Sequence, residues 1–162
     1  NTHKYEFIKT INHGYNTRQI AAYKSIIATS VVQGRIAIVN LNDQANKYAF
    51  KAHLSEPKGE SALQMSEISP KCVYPVNALC FQPGTDFLAS GGTDGVVHIW
   101  DIKKKRKLQT LMDEENGIPF NTSISSISFS NNGDTLAVAV SYCFENGPVQ
   151  HAPDRLIIYT NN

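Results

Sequence analysis

The chain has 162 residues, 41% of them apolar and 18% charged, with a formal net charge of +1. That balance suits a globular chain with a core and excludes an intrinsically disordered one. It also excludes binding of nucleic acid or anionic lipid through an overall field, so any such binding needs a local patch. Cys72, Cys80 and Cys143 are odd in number and never two residues apart, which fits neither a disulfide framework nor a zinc knuckle and reads as free thiols in a reducing compartment. No run approaches the roughly 18 apolar residues of a membrane span, and Asn1 to Glu6 lack the layout of a signal peptide. A soluble intracellular protein is expected, and a start at Asn1 without methionine reads as part of a longer one.

Lys4 to Lys9 alternates apolar and polar side chains, the pattern of a strand whose sheet partners are missing. Gln19–Tyr23, Ser25–Val31, Arg35–Leu41 and Tyr48–His53 follow as four predicted strands, with Gln33-Gly34 and Asn42-Asp43-Gln44 as hairpin tips, and make residues 12–54 one unit. Residues 55–73 turn to Ser, Glu, Lys, Pro and Gly and read as an exposed, mobile connection. A second unit, residues 74–112, holds Val76–Phe81, Phe87–Ser90, Val96–Asp101 and Lys107–Leu111, with the basic run Lys103 to Lys107 in its last hairpin. Thr93-Asp94-Gly95 is a predicted hairpin tip, with Gly91, Gly92, Asp94 and Gly95 supplying backbone that tolerates positive φ. Residues 113–162 give three more strands, Ser123–Phe129, Thr135–Ser141 and Arg155–Thr160, the last two separated by a long loop from Tyr142 to Asp154.

These units are copies of one another. An offset of 61 residues carries Ile27-Ala28 onto Leu88-Ala89 and Val39 onto Trp100, and an offset of 48 carries Phe81 and Leu88 onto Phe129 and Leu136. With Gly91-Gly92 upstream and Trp100-Asp101 closing the strand, the second copy bears the signature of WD-repeat propellers. The predicted fold class is therefore all-β, a WD-repeat β-propeller within one domain, with about three blades present. Residues 1–11 become the outer strand of a preceding blade. Closed propellers carry about four to eight blades, and the last is completed by a strand from the far end of the chain.

The sequence holds no nucleophile elbow, Walker loop, HExxH or paired-cysteine motif. His53 ends a strand, His98 lies mid-strand beside Trp100 and is expected to face a neighbouring blade, and His151 shares a loop with Asp154. No two lie at ligand spacing within one element, so neither metal nor other cofactor is expected. In WD blades an aspartate at this hairpin, a serine on the strand before it and the tryptophan share hydrogen bonds with an upstream histidine. Asp94, Ser90 and Trp100 are assigned that structural role, and because Tyr74-Pro-Val-Asn77 occupies the histidine's place, the network is expected to be incomplete. The run Lys103 to Lys107 lacks an interleaved aromatic for stacking on bases and reads as a solvated turn. Arg35 follows the Gly34 tip, where its side chain can reach the rim at which blade loops converge, with Lys51 nearby; spacing alone leaves open a docking role and a plain surface cation.

Tyr74-Pro-Val-Asn-Ala78, Gly91-Gly-Thr-Asp-Gly95 with Ile99-Trp-Asp101, Tyr48-Ala-Phe-Lys-Ala-His53, Gly34-Arg-Ile-Ala37 and Ile127-Ser-Phe-Ser-Asn-Asn-Gly133 resemble the C-terminal half of the spindle-checkpoint propellers of the "budding uninhibited by benzimidazole" family. A sister propeller of mRNA export that binds a nucleoporin is similar, with the His151-x-Pro153-Asp154 loop favouring the checkpoint family. The resemblance implies a non-catalytic, seven-bladed scaffold, nuclear and at the kinetochore, with the cytoplasm also open. Its partners are checkpoint kinases and kinetochore proteins, held by short Glu-containing motifs. Arg35 and Lys51 would be the carboxylate partners, and Arg18, of a matching Thr-Arg pair, a further candidate. Ala52 stands for a family cysteine and Leu54 for a family arginine, departures that bear on acidic-peptide binding.

Overall fold

The computed structural model describes residues 10, 16–55, 72–113, 119–120 and 122–161, and every element among them is a strand. β1 (Thr17–Tyr23), β2 (Ile26–Val31), β3 (Arg35–Asn40) and β4 (Asp43–Lys51) form an antiparallel meander in chain order. β5 (Leu54–Ser55) and β6 (Cys72–Val73) pair as a short ladder. β7 (Val76–Phe81), β8 (Phe87–Gly92), β9 (Val97–Asp101) and β10 (Arg106–Leu111) form a second four-stranded meander, and β11 (Ile124–Phe129), β12 (Thr135–Val140) and β13 (Arg155–Thr160) a three-stranded one. These are blades of a β-propeller, the predicted all-β class.

Both repeat offsets appear in the pairing. Ile27 faces Val39 as Leu88 faces Trp100, and Phe81 faces Leu88 as Phe129 faces Leu136. Successive side chains of a strand point to opposite faces, and the middle sheet uses both. Leu79, Phe81, Leu88 and Trp100 join Ala28, Ile36 and Ile38 of the first sheet in one buried cluster. Ala78, Ala89 and Val97 turn the other way and pack with Ile124, Ile127, Leu136 and Val138 in a second. A sheet packed on both faces reads as a nearly continuous apolar run, which is why no clean alternation marks β7 or β8.

Two expectations need correction. Gly91 and Gly92 belong to β8 and not to the turn; of the glycines around this hairpin only Gly95 has positive φ, at +70°. Their role is close approach: a Cβ on Gly91 would strike Ile124 of the next sheet, and one on Gly92 would strike His53 and Asp94. Second, the tip predicted at residues 42–44 lies earlier, because Asn40 pairs with Asp43 and the Asn40 side chain accepts the Asn42 N–H at 3.0 Å, fixing the two-residue turn at Leu41-Asn42. The predicted connection begins and ends in a short ladder. Leu54 pairs with Val73, Ser55 with Cys72, and the Tyr74 N–H donates to the His53 carbonyl at 3.1 Å. Residues 56–71 between them, and the predicted strand Lys4–Lys9, lie outside the described residues.

Hairpin alternation sorts the ends of the sheets. The β2–β3 turn, the β8–β9 tip and the sheet-to-sheet crossings share one end. The β1–β2, β3–β4, β7–β8, β9–β10 and β11–β12 turns share the other. The candidate cations Arg18, Arg35 and Lys51 stand at the crossover end.

Candidate functional site: a buried polar seam and a basic rim

The crossover from the first sheet to the second carries His53 into the interface. Its N–H donates to the Gly34 carbonyl at 3.1 Å and its own carbonyl accepts from Tyr74, so the backbone is held on both sides. The imidazole is fully buried and passes over Gly92, where any Cβ would displace it. Nδ1 lies 2.9 and 3.0 Å from the two Asp94 carboxylate oxygens and Nε2 lies 2.9 Å from Ser90 Oγ, which accepts the Trp100 Nε1–H at 2.8 Å. Donors and acceptors match along the whole chain when the histidine proton sits on Nδ1: indole to hydroxyl, hydroxyl to Nε2, Nδ1 to carboxylate.

The network expected to lack its histidine is therefore complete. The histidine comes from before the inserted residues 54–73 instead of from the Tyr74–Asn77 segment beside the blade. The insertion separates in sequence what the fold brings together, and His53 was missed for that reason. The one available signal was its position at the end of the Tyr48–His53 strand, just ahead of the insertion.

Ser90, His53 and Asp94 also have the mutual geometry of a hydrolytic triad, but their burial assigns them to structure. Ser90 and His53 are both 0% exposed, and the Trp100 indole already occupies the hydroxyl that a substrate carbonyl would need to reach. His98 extends the seam as the sequence placed it, facing the neighbouring blade through His53. Its ring lies 4.8 Å from that of His53 and 5.5 Å, edge-on, from Trp100, while Nδ1 meets Thr110 Oγ1 at 2.9 Å. Burial, then His53 and Lys107, lower its pKa from 6.5 to about 3, so it is neutral. His53, Asp94 and His98 bring ligand-type atoms within 4.8 Å of one another, a clustering that within-element spacing did not reveal. Each is committed to the network: both His53 nitrogens have partners and Asp94 receives the Nδ1 proton.

The rim lies above this seam. Arg35 and Lys51 are direct cross-strand partners on β3 and β4, so both side chains leave the same face of the first sheet. Arg35 is half-buried and Lys51 exposed, and neither has a carboxylate partner among the described residues. Arg18 is two strands away, at the register shift between Thr17 and Gln19, and its charge is felt at Cys143 in the β12–β13 loop. Burial, then Glu145, push the Cys143 thiol pKa up; Arg18 and a Ser123 hydrogen bond act against that rise. The fold thus pairs Arg35 with Lys51 and sets Arg18 apart. Leu54, at the family's arginine position, is half-buried in the β5–β6 ladder, and Ala52 is 7% exposed.

Comparison with known proteins agrees with this geometry. The "WD domain, G-beta repeat" family matches residues 69–101, which span β6 to β9 with the hairpin and Trp100-Asp101. The mitotic checkpoint protein BUB3.1 of Arabidopsis thaliana is 38% identical over 154 residues, covering 91% of this chain and 41% of its own length. The chain is of the Bub3 type among WD-repeat proteins. The checkpoint protein bub3 of Dictyostelium discoideum is 36% identical over 90% of this Bub3-type chain and 41% of its own length. The mRNA export factor GLE2 of Chaetomium thermophilum is 29% identical over 88% of the chain and 37% of its own length. The chain spans about two fifths of the length of these curated relatives.

Proposed function

We propose that this Bub3-type chain is part of a non-catalytic scaffold of the mitotic spindle checkpoint, acting in the nucleus and at the kinetochore. Its crossover rim docks short Glu-containing motifs of checkpoint kinases or kinetochore proteins. The observation that carries the reading is the Arg35–Lys51 pair, two cations side by side on neighbouring strands and without an acidic partner among the described residues. Two like charges so placed repel each other, and a carboxylate laid between them relieves that repulsion. Charge-assisted bonds to a guanidinium are stronger than neutral ones and can be bidentate. Arg18 contributes more weakly, from its separate position beside the β12–β13 loop.

The test is a calorimetric titration of the full-length protein with a Glu-rich checkpoint-kinase peptide. Arg35→Ala and Lys51→Ala are each expected to cost roughly 1–3 kcal/mol, the usual range when a charged hydrogen bond is removed. Unchanged affinity in both variants overturns the assignment. The second reading, an mRNA-export adaptor that binds a nucleoporin and RNA, is favoured by the export-factor relative and the exposed run Lys103 to Lys107. RNA affinity held by phosphate contacts falls steeply with salt, whereas a peptide held by two or three charges loses much less, so the salt slope separates the two.

A further inference from the structure

Where β4 of the first sheet passes the β9–β10 hairpin of the second, the perimeter opens into a cleft of about 360 Å³. Tyr48, Phe50, Trp100 and Ile102 line it together with three exposed cations, Lys51, Lys105 and Arg106. The rings are fixed relative to one another: Phe50 lies 4.8 Å from Trp100 and 6.1 Å from Tyr48, and the Tyr48 hydroxyl donates to the Ile102 carbonyl at 2.7 Å. Lys105, whose φ is +53°, sets its Nζ 4.5 Å from the centre of the Tyr48 ring. The carboxylate in the lining, Asp101, is 5% exposed and already takes the Lys104 N–H at 2.8 Å and Lys104 Nζ at 3.7 Å. Neither Lys105 nor Arg106 has a carboxylate partner among the described residues.

The repeat provides an internal control. The pairings that place Tyr48 opposite Ile38 and Phe50 opposite Ile36 place Gln109 opposite Ile99 and Leu111 opposite Val97 one blade later, and Tyr159 takes the position of Trp100. A cleft of about 440 Å³ recurs there, lined by the rings of Phe87, Phe129 and Tyr159 with Gln109 and Leu111 among others, with no cation and with the carboxylate of Asp134. The fold therefore tolerates a cleft at this repeat position without basic charge. Aromatic rings line both clefts, whereas the exposed cations are a property of the first cleft, not a requirement of packing one blade on the next.

We propose that this cleft is a second docking site, for an acidic segment of a protein partner that seats one aromatic or branched aliphatic side chain against Phe50 and Trp100 and lays its flanking carboxylates on Lys105 and Arg106. Lys105 and Arg106 stand at the opposite end of the sheets from Arg35, while Lys51 of the rim pair borders the cleft at its near edge. Its occupancy does not depend on the checkpoint reading. An apolar anchor with a charged fringe divides the work: burial supplies affinity, while the cations select the sign of the partner's charge.

The experiment is a fluorescence-anisotropy titration of the full-length protein with a labelled ten-residue peptide of Glu and Ser carrying one central Phe. Two control peptides replace the Phe by Gly or every Glu by Lys. The protein variants are Arg106→Gln and Lys105→Asn, asparagine being a residue that accepts left-handed backbone, alone and together, with Arg35→Ala as the rim control. Binding of the Phe peptide is expected to weaken about tenfold or more in the double variant and by a similar factor when Phe becomes Gly, each tenfold being about 1.4 kcal/mol. The Lys peptide should not bind, and Arg35→Ala should leave the affinity unchanged. The peptide controls need no protein variant, so a misfolded double variant does not protect the idea. Equal binding of the Gly and Phe peptides, loss on Arg35→Ala but not on the Lys105 and Arg106 changes, or no binding by wild type at millimolar peptide each overturns the proposal. Saturable binding of a single-stranded RNA oligonucleotide through Lys105 and Arg106, with none of the peptide, also overturns it and makes the surface one for nucleic acid.

Discussion

His53 shows how much one side chain can join. It is carried by the first sheet's exit, hydrogen-bonded to the second sheet's hairpin and middle strand, and in ring contact with His98 of the strand after that. Truncating it leaves a buried hydroxyl and a carboxylate that is 12% exposed without their partner, so His53→Ala is expected to cost about 3 kcal/mol or more. Trp100→Phe keeps the ring and loses only the indole donor, and is expected to cost about 1 kcal/mol. Urea denaturation of the two variants measures the order, and a Trp100→Phe cost at or above that of His53→Ala contradicts the seam as drawn.

His98 supplies the pH dependence. Because its folded pKa is lowered to about 3, the unfolded chain takes up a proton near pH 6.5 that the folded chain refuses. The stability it protects is whole above pH 6.5 and drains as pH falls toward 3. Between pH 7 and pH 5 the loss is about 2 kcal/mol, from the linkage slope of about 1.4 kcal/mol per pH unit. Melting curves across that interval should flatten in His98→Gln; an unchanged slope means that another group governs acid sensitivity.

At the scale of elements, what separates the sheets is the size of the residues facing across them. Gly91 of β8 lies against Ile124 of β11, which is itself fully buried. Gly91→Val is expected to cost about 1–3 kcal/mol by overpacking, against about 1 kcal/mol for Gly84→Ala, where nothing lies within 4 Å and only the φ of +77° is strained. Thermal denaturation of the pair separates crowding from backbone strain; equal losses would show that the interface relaxes freely. The strand positions of β7 and β13 were read residue for residue from pattern and turn chemistry. The start of β4 was not, because Asp43 and the polar residues after it are extended by pairing with β3, which local preference does not register.

At the scale of the molecule, the outer face of the last sheet stands out. Among the described residues β13 pairs only with β12, and Leu156 and Ile158 are 70% and 52% exposed. An apolar strand with an open hydrogen-bonding edge recruits other strands. The 162-residue chain alone is therefore expected to self-associate with rising concentration, and Leu156→Lys with Ile158→Lys to suppress it, as static light scattering would register; a monodisperse wild-type chain at high concentration contradicts this.

The sequence by itself determined the all-β class and the three-unit repeat. Side-chain period, turn residues and a repeated spacing are local properties, and the pairings Ile27 with Val39 and Leu88 with Trp100 fall where the offset puts them. It also singled out Trp100, Asp94 and Ser90, because the hairpin signature is contiguous. Only the tertiary structure decided that His53 completes their network, that Gly91 and Gly92 serve contact instead of turning, and that Arg35 stands beside Lys51 with Arg18 apart. Each of these depends on segments separated by insertions or lying on different sheets, and distance across a packed interface is not written in the spacing along the chain.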